Sequence, residues 1–307
     1  MADRKPLIPV LVGPTAVGKT AVALALREYW SPVVISADSR QVYRGLDIGT
    51  AKPTAEERRL VPHLGIDLVD PGERYSAGRF AAEASNWLRD PRTDRRPIVV
   101  GGTGFYVRAL ADGLFREPPL PKQRRDRLRQ WARDADGLGR WAARLDPGYS
   151  GGGRQRAERV IEIALFTGRP LSWWQARAKA EGVMRPWYVY LTVPRTVLRQ
   201  RIEARADAMI AAGLVDEVRG VLARGVAPDA PGLDAVGYRE VVQHLHGALA
   251  REDLAPTIAA ATRRYAKRQE TWFRHQLIGH PVVTLDATDG ADVLARRIAA
   301  LWEERSD

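Results

Sequence analysis

Eight residues near the start of the chain have the types and spacing of a phosphate-binding loop. They are Gly13, Pro14, Thr15, Ala16, Val17, Gly18, Lys19 and Thr20, a full match to G-x-x-x-x-G-K-[ST] that follows an apolar run at 7–12. Glycines let successive backbone N–H groups turn toward phosphate oxygens, and the helix expected next adds partial positive charge. Lys19 would neutralise the terminal phosphate, and the Thr20 hydroxyl would bind Mg²⁺. The loop predicts a bound diphosphate or triphosphate. It leaves open whether that group is a phosphoryl donor, a nucleotide hydrolysed for energy, or a leaving group.

A carboxylate follows the second apolar run, at 33–36. Asp38 stands there, at the edge of a sheet where ligands of open α/β folds bind. A motor or switch NTPase would instead carry a carboxylate at the end of a later strand, but the run at 98–100 leads into the glycine-rich segment 101–104. Asp38 is therefore a candidate general base facing the phosphate loop. The alternative is that it caps a turn, as Asp often does.

The elements that must position these residues alternate between short apolar runs and amphipathic stretches. The runs at 7–12, 33–36 and 98–100 are typical of buried parallel strands, and the stretches at 20–30 and 77–88 have helical spacing. This alternation predicts an α/β fold, a P-loop NTPase-like parallel sheet with helices on both faces. Further strands are expected at 187–193 and 282–285, and further helices at 195–212, 214–224, 237–246 and 254–276.

An arginine-rich, mostly helical segment interrupts this pattern. We expect an inserted helical domain at 117–186, inside a catalytic core made of 1–116 and 187–307 whose C-terminal part is helical. Residues 115–200 hold 18 Lys+Arg against 8 Asp+Glu, so most of the net charge of +11 lies there. This charge favours binding of a polyanion, nucleic acid in particular. The alternative is that arginine serves here as a general surface residue.

The composition excludes several other classes of protein. The 307 residues include no cysteine, which excludes disulfides, thiolate metal sites and cysteine nucleophiles and fits a reducing compartment. The apolar run at 7–12 is too short for a signal peptide or a membrane span. We therefore expect a cytoplasmic protein with no membrane-spanning segment.

Further motifs follow the phosphate loop in a fixed order. They are DSRQVYRGLDIGTAKP at 38–53, GGTGFY at 101–106, QR at 155–156, RIEAR at 201–205, VGYR at 236–239 and KRQETWFR at 267–274. Together with the loop, this series resembles the tRNA dimethylallyltransferases over roughly residues 7–276. The first and last strings are the most specific, because a phosphate loop alone occurs in many families.

The resemblance implies an activity and a role for several residues. The family transfers a dimethylallyl group from dimethylallyl diphosphate to N6 of the adenosine on the 3′ side of the anticodon in tRNA, releasing diphosphate. By this resemblance Asp38 takes the proton from N6, and Thr103 contacts the substrate. Residues 13–20 hold the diphosphate, while Lys19, Arg205 and Mg²⁺ on Thr20 stabilise the charge that develops on it.

The same resemblance implies a second set of residues that bind the anticodon stem-loop of tRNA. The target adenine must leave the stacked loop to enter a pocket, and residues beside Asp38 are placed to hold it. The expected tRNA-binding residues are Asp38, Ser39, Arg40, Gln41, Thr103, Arg125, Gln155, Arg156, Arg159, Val236, Gly237, Tyr238, Arg239, Lys267, Arg268, Gln269, Trp272 and Arg274. Tyr238 and Trp272 could stack on bases or belong to the core. A monomer is expected from the resemblance.

Two other functions remain open at this point. A small-molecule kinase could use the same loop and Asp38, and would be recognised by ATP turnover with a small acceptor. An RNA-binding protein controlled by a nucleotide could use the loop without any transfer reaction, and would retain its role when Asp38 is replaced.

Overall fold

The computed structural model describes residues 5–90, 94–115, 120–177 and 181–306, and the chain divides into two compact units. The first unit comprises Met1–Ala111 and Val183–Asp307, and the second comprises Asp112–Gly182. The expected boundary between 116 and 117 lies outside the described residues. The other expected boundary, after 186, differs from the structure. The backbone N–H of Val183 donates to the Leu110 carbonyl (2.7 Å), which returns the chain to the first unit at this residue.

The first unit is built on a parallel sheet. Its strands in the described part of the chain are β1 (Leu7–Val12), β2 (Pro32–Ser36), β3 (His63–Leu64), β4 (Arg96–Gly101), β5 (Arg185–Thr192) and β6 (Val282–Asp286). They lie in the spatial order β3-β2-β4-β1-β5-β6, and every neighbouring pair is parallel. The predicted α/β fold with a parallel sheet is confirmed. The sequence does not predict β3, because two residues are too few to show a period.

The helices are numbered in chain order across both units. Those of the first unit before the insertion are α1 (Lys19–Ala25), α2 (Ala55–Leu60), α3 (Ala77–Leu88) and α4 (Gly104–Ala111). Those of the second unit are α5 (Lys122–Asp134), α6 (Leu138–Leu145), α7 (Arg154–Thr167) and α8 (Leu171–Arg177). The first unit then continues with α9 (Arg195–Ala211), α10 (Leu214–Ala223), α11 (Tyr238–Leu245), α12 (Arg251–Gln276) and α13 (Ala291–Ser306).

Both faces of the sheet are covered. Leu11 of β1, Trp187 of β5 and Ile298 of α13 belong to one apolar cluster, in which the Trp187 ring lies 5.4 Å from the ring of Trp302. Successive side chains of a strand point to opposite faces. Val10 therefore points away from this cluster, and it is fully buried as well. Burial on both faces explains why the strands read as continuous apolar runs.

The second unit has its own small core. Buried residues of α5, α6 and α7 form this cluster, among them Ala132, Leu138 and Ile161, and Leu171 of α8 completes it. Across the part of the chain that the structure describes, no helix is both long enough and apolar enough to cross a membrane.

Replacing Ile298 by alanine should destabilise the first unit. Ile298 is 1% exposed, so Ile298→Ala leaves a cavity beneath α13 and should lower the free energy of unfolding by about 2–5 kcal/mol. Chemical denaturation followed by circular dichroism measures this loss. The matched control is Val293→Ala on the same helix, where the side chain is 45% exposed and a change within about 0.5 kcal/mol is expected. Equal losses in the two variants would contradict the packing of α13 described above.

Candidate active site

The phosphate loop follows β1 in a conformation that requires glycine. Gly13 has φ +149° and Gly18 has φ +109°, backbone angles that side chains rarely adopt. A Cβ atom on Gly13 would also lie 2.6 Å from the carbonyl oxygen of Leu191. The Arg201 guanidinium donates to the carbonyls of Val17 (3.0 Å) and Ala287 (3.0 Å) and so ties the loop to the end of the sheet. The loop is therefore held by close packing of Gly13 against β5 and by the hydrogen bonds of Arg201.

Lys19 points back into this loop. Its ammonium group donates to the carbonyl oxygens of Gly13 (2.9 Å) and Pro14 (2.8 Å). Burial lowers the pKa of Lys19 to about 8; Asp38 partly opposes this shift, and Arg205 adds to it. A cation in this position gains from a bound anion, because a phosphate group would offset its desolvation.

Backbone contacts at the carboxyl ends of β2 and β4 bring Asp38 and Thr103 together. The Thr103 N–H donates to the Ala37 carbonyl (3.1 Å), and the Ser39 N–H donates to the Thr103 hydroxyl (3.0 Å). The Asp38 carboxylate accepts the N–H of Arg40 (2.8 Å). Asp38 therefore caps its own turn, one of the two roles that its position in the sequence allows. Its half-buried side chain also lines the cleft, as the other role requires.

Arg205 of α9 completes a charged group with Lys19 and Asp38. Burial lowers the pKa of the Arg205 guanidinium, and the Asp38 carboxylate opposes that shift. Asp38 thus interacts electrostatically with both cations, which come from elements far apart in the sequence. The three residues offer an anion two positive charges and one carboxylate at the same place.

Tyr265 of α12 belongs to the site although the sequence does not single it out. Burial and the nearby Asp38 carboxylate raise the pKa of Tyr265 to about 12, while Arg40 and a hydrogen bond with Thr103 oppose the shift. The Arg268 guanidinium lies over the Tyr265 ring, 5.7 Å from its centroid. A tyrosine between basic residues on a helix carries no sequence signal of its own, so only its neighbours in space identify it.

Gln269 joins the phosphate loop to the end of β4 through its side-chain amide. The amide oxygen accepts the N–H of Thr15 (2.8 Å), and the amide nitrogen donates to the Gly102 carbonyl (2.9 Å). A Cβ on Gly102 would lie 2.1 Å from that nitrogen, so the contact requires glycine there. Gln269 is buried and its amide is bonded within the protein. The structure therefore shows the Gln269 amide bonded to the phosphate loop on one side and to Gly102 on the other.

The segment 47–53 forms one wall of the site and is fixed by a carboxylate of α10. Glu217 accepts the N–H groups of Asp47 (2.8 Å) and Ile48 (2.8 Å) and the hydroxyl of Tyr238 (2.6 Å). The Tyr238 ring is fully buried, and a Cβ on Gly49 would lie 2.4 Å from it. Of the two roles open for Tyr238, the structure places it in the core.

Lys52 anchors the same segment from the inside. Its ammonium group is buried and bonded to the Tyr43 carbonyl (2.5 Å) and to the carboxylates of Asp47 (2.6 Å) and Asp67 (2.5 Å). Gln41 accepts the Ser36 hydroxyl (2.7 Å) and donates to carbonyls of the 47–53 segment. The shape of this wall therefore depends on side chains that lie inside the motif at 38–53.

A cleft of about 730 Å³ runs between these elements. Residues 15–20 of the phosphate loop form its floor, and Asp38, Gln41, Lys52, Arg205 and Tyr265 are among its other lining residues. All of them belong to the first unit. The volume is sufficient for a small organic diphosphate, because ligand pockets span about 300–1,000 Å³.

The remaining residues that the sequence assigns to RNA lie in several environments. The exposed residues are Gln155, Arg156, Arg239, Lys267, Arg268 and Arg274. The half-buried residues are Ser39, Arg40, Gln41, Thr103, Arg125, Arg159, Val236 and Trp272, and Gly237 is buried. Arg40 donates to the Pro231 carbonyl (2.9 Å), and the Trp272 ring covers Gly104, whose Cβ would lie 2.2 Å from it. Arg125, Gln155, Arg156 and Arg159 belong to the second unit.

The donor set fits a divalent ion that is held mainly by the substrate. Within the described ranges, no group of three or more His, Asp or Glu side chains could hold a metal ion by itself. Thr20 lines the cleft next to Lys19, and its hydroxyl is an oxygen that the phosphate loop offers to a metal ion. Mg²⁺ usually binds through few protein oxygens together with phosphate oxygens and water. The site thus suits Mg²⁺ that arrives with a diphosphate.

Fold and site together define a P-loop-like α/β protein with a cleft, lined by Lys19, Asp38 and Arg205, at the carboxyl edge of a parallel sheet. Comparison with known proteins narrows this class. The family model described as "IPP transferase" matches residues 41–276, and a second, "Isopentenyl transferase", matches residues 7–67. The chain therefore belongs to the IPP transferase family, and the family assignment made from the motifs is confirmed.

Individual relatives agree with this assignment. A tRNA dimethylallyltransferase of Geobacter metallireducens is 42% identical over 89% of this chain and 91% of its own length, and one of Methylobacterium nodulans is 44% identical over 90% and 93%. The crystal structure of a tRNA isopentenylpyrophosphate transferase of Bacillus halodurans superposes with a TM-score of 0.69 at 34% identity, covering 99% of this chain and 98% of that one. A eukaryotic dimethylallyltransferase acting on tRNA gives a TM-score of 0.79 at 28% identity, covering 96% of this chain and 77% of that one.

Replacing Gln269 tests its role as the link between the two loops. Gln269→Leu leaves the Thr15 N–H and the Gly102 carbonyl without their partner, which should cost about 1–3 kcal/mol of folding free energy and weaken diphosphate binding. Chemical denaturation and calorimetric titration measure the two effects. The control is Gln276→Leu, the same substitution at a half-buried position of α12. If Gln269 contacted RNA instead, Gln269→Leu would lower RNA affinity and leave diphosphate binding at the wild-type level.

Proposed function

We propose that this protein transfers a dimethylallyl group from dimethylallyl diphosphate to N6 of the adenosine on the 3′ side of the anticodon in tRNA, with release of diphosphate. The observation that carries the proposal is the meeting of Asp38, Lys19 and Arg205 in one cleft above a phosphate loop. Membership of the IPP transferase family and the names of the relatives supply the reaction. The cleft supplies a place for a base and a leaving group side by side.

The nucleophile in this reaction needs a base. The lone pair of adenine N6 is delocalised into the ring, so N6 attacks effectively only as its proton is removed. In the proposed reaction a bond forms between N6 and C1 of the donor, the bond from C1 to the diphosphate oxygen breaks, and the N6 proton passes to Asp38. Thr103, whose hydroxyl is bonded to Ser39 in the Asp38 turn, would hold the adenine.

The leaving group needs positive charge. Backbone N–H groups of the phosphate loop, together with Lys19 and Arg205, would bind the diphosphate and stabilise the charge that builds on it as the C1–O bond breaks. Lys19 would exchange its bonds to the Gly13 and Pro14 carbonyls for bonds to phosphate oxygens. Mg²⁺ held by the Thr20 hydroxyl and the diphosphate would neutralise further charge on the phosphate oxygens.

Exposed basic residues supply the proposed contacts to tRNA. Lys267, Arg268 and Arg274 are exposed on α12, whose Tyr265 contacts Thr103, and Arg239 is exposed on α11. Gln155 and Arg156 are exposed at the start of α7 in the second unit. Phosphate contacts of this kind set affinity and its dependence on salt. A monomer acting in the cytoplasm is part of the same proposal.

The proposed function is tested by incubating the protein with Mg²⁺, labelled dimethylallyl diphosphate and an unmodified tRNA, without ATP. Label should appear in the RNA. A tRNA with guanosine in place of the target adenosine serves as the control, because it lacks the N6 amine. ATP hydrolysis with no label in the RNA would overturn the proposal in favour of a kinase or a nucleotide-controlled RNA-binding protein.

Replacing Asp38 by asparagine should separate catalysis from binding. Asparagine retains an oxygen for the Arg40 N–H but cannot accept the N6 proton, so turnover should fall about 10²–10⁴-fold. Single-turnover transfer assays measure the rate, and fluorescence anisotropy with an anticodon stem-loop measures RNA affinity, which should remain near the wild-type value. Near-normal turnover in Asp38→Asn would exclude Asp38 as the base.

Donor binding should weaken in alkaline solution. Because the pKa of Lys19 is lowered to about 8, the free protein loses this charge as pH rises through 8, well below the ordinary value of 10.5. Binding a diphosphate favours charged Lys19, so affinity for dimethylallyl diphosphate should fall by up to about tenfold per pH unit above 8. Calorimetric titration between pH 7 and pH 10 measures the slope. In Lys19→Ala the affinity should be lower and nearly independent of pH, and an unchanged slope in that variant would assign the effect to another group.

A further inference from the structure

The aromatic residues of the family motifs differ in how far they are exposed to solvent. They are Tyr43, Phe105, Tyr106, Tyr238, Trp272 and Phe273. Four of them are at most 4% exposed, and Trp272 is half-buried with its ring over Gly104. Phe105, by contrast, is 50% exposed. It is therefore the most exposed aromatic residue in the motifs.

Phe105 lies beside the candidate active site. It is the second residue of α4, two positions after Thr103, and the Tyr106 N–H ties this turn to the Thr103 carbonyl (2.9 Å). Side chains of a helix tilt toward its N-terminus. The N-terminus of α4 follows the carboxyl end of β4, so the Phe105 side chain leans toward the edge of the sheet at which the cleft lies.

Arg108 shares the exposed face of α4 with Phe105. Residues three apart in a helix are neighbours on its surface, and Arg108 is exposed. Other residues of α4 point toward the interior, since the Tyr106 ring stacks on Phe80 of α3 with 4.4 Å between ring centroids. Within the described ranges, the Arg108 guanidinium makes no ion pair. The face therefore presents an aromatic ring next to a positive charge that no carboxylate neutralises.

A ring and a cation on one exposed helix face suit single-stranded RNA. Unstacked bases stack on aromatic side chains, and arginine binds the phosphates that join the nucleotides. The proposed reaction produces such a strand, because extrusion of the target adenosine leaves each neighbouring base with an unstacked face. Exposed Arg268 of α12 adds positive charge near this face, since Trp272 of the same helix contacts Gly104 of α4.

We propose that Phe105 stacks on a base next to the extruded adenosine and that Arg108 binds a phosphate of the same strand. This role of α4 rests on the proposed function, which supplies the RNA. Phe105 would do the stacking for which the sequence offered Tyr238 and Trp272. Tyr238 is fully buried in the core, and the Trp272 ring is packed on Gly104, so neither presents a ring as open as that of Phe105.

Two substitutions separate stacking from charge. Phe105→Ala should weaken binding of an anticodon stem-loop about 5–50-fold and leave the slope of log affinity against log salt unchanged, because stacking releases no counterions. Arg108→Ala should weaken binding and reduce that slope by about one, as expected for one lost phosphate contact. Phe105→Trp retains a ring and should bind at least as tightly as the wild-type protein. Fluorescence anisotropy over a range of salt concentrations measures affinity and slope.

The same contact can be removed from the RNA. An abasic nucleotide on the 5′ side or on the 3′ side of the target adenosine deletes one neighbouring base at a time. One of these two RNAs should bind the wild-type protein more weakly. Phe105→Ala should bind that RNA as tightly as the wild-type protein does, because the stacking partner is already absent. An equal effect of Phe105→Ala on every RNA would overturn the stacking.

Matched controls carry the same substitutions at the amino edge of the sheet. Tyr29 is 46% exposed and precedes β2. Arg305 is exposed in the last turn of α13, beyond Trp302, whose ring centroid lies 5.9 Å from that of Trp30. Tyr29→Ala and Arg305→Ala should leave affinity and salt slope near the wild-type values. Losses as large as those of Phe105→Ala and Arg108→Ala would overturn the assignment to α4.

The outcomes distinguish this role of α4 from the proposed function. If the wild-type protein binds the stem-loop and transfers the label, but Phe105→Ala and Arg108→Ala bind as tightly with unchanged slopes, the role of α4 is overturned and the proposed function stands. If the wild-type protein does not bind the stem-loop, both are overturned.

Discussion

The close approach of main chains at the carboxyl edge of the central strands is the constraint on which the site depends. A Cβ on Gly101 would lie 2.2 Å from the Ala37 carbonyl oxygen, and one on Gly102 would lie 2.1 Å from the Gln269 amide. Only glycine allows β4 to end so near to β2, and this nearness permits the backbone bond from Thr103 to Ala37. The turn that carries Asp38 and the loop that carries Thr103 are thereby fixed to each other. The phosphate loop joins the same arrangement through Gln269, so hydrogen bonds connect all three loops.

Electrostatics then gives this support its preference for an anion. Lys19 and Arg205 are both partly desolvated, and a single carboxylate, Asp38, lies close enough to affect the pKa of each. The Lys19 ammonium group donates to two carbonyl oxygens of the phosphate loop. These hydrogen bonds are weaker than the bonds that the same group would make to a charged phosphate. In the proposed reaction, preorganised positive charge of this kind would lower the barrier for departure of the diphosphate, because the charges are already in place as negative charge develops.

Two glutamates outside the reaction centre organise other parts of the molecule by accepting several donors at once. Glu217 gathers backbone N–H groups of 47–49 together with the Tyr238 hydroxyl, and so fixes the wall of the cleft that continues to Lys52. Glu162 gathers arginine side chains of the second unit in the same manner. In both places one carboxylate accepts several donors and so restricts the movement of the groups that bear them. An acidic residue in this basic protein therefore marks backbone or side-chain groups that are held in a fixed position.

The sequence alone determined the phosphate loop, the parallel sheet apart from β3, and the family, because each depends on short-range spacing: the two loop glycines five residues apart, apolar runs, and contiguous motif strings. Tertiary structure decided which polar residues face the reaction and which face the interior. The motif at 267–274 lies on α12, where successive residues point in different directions, so Gln269 is buried against Thr15 while Lys267 and Arg268 are exposed. Tyr265 and Glu217 gain their roles from partners distant in the chain. Helical periodicity gives the faces of a helix, but burial is set by whatever packs against each face, and only the folded chain supplies that.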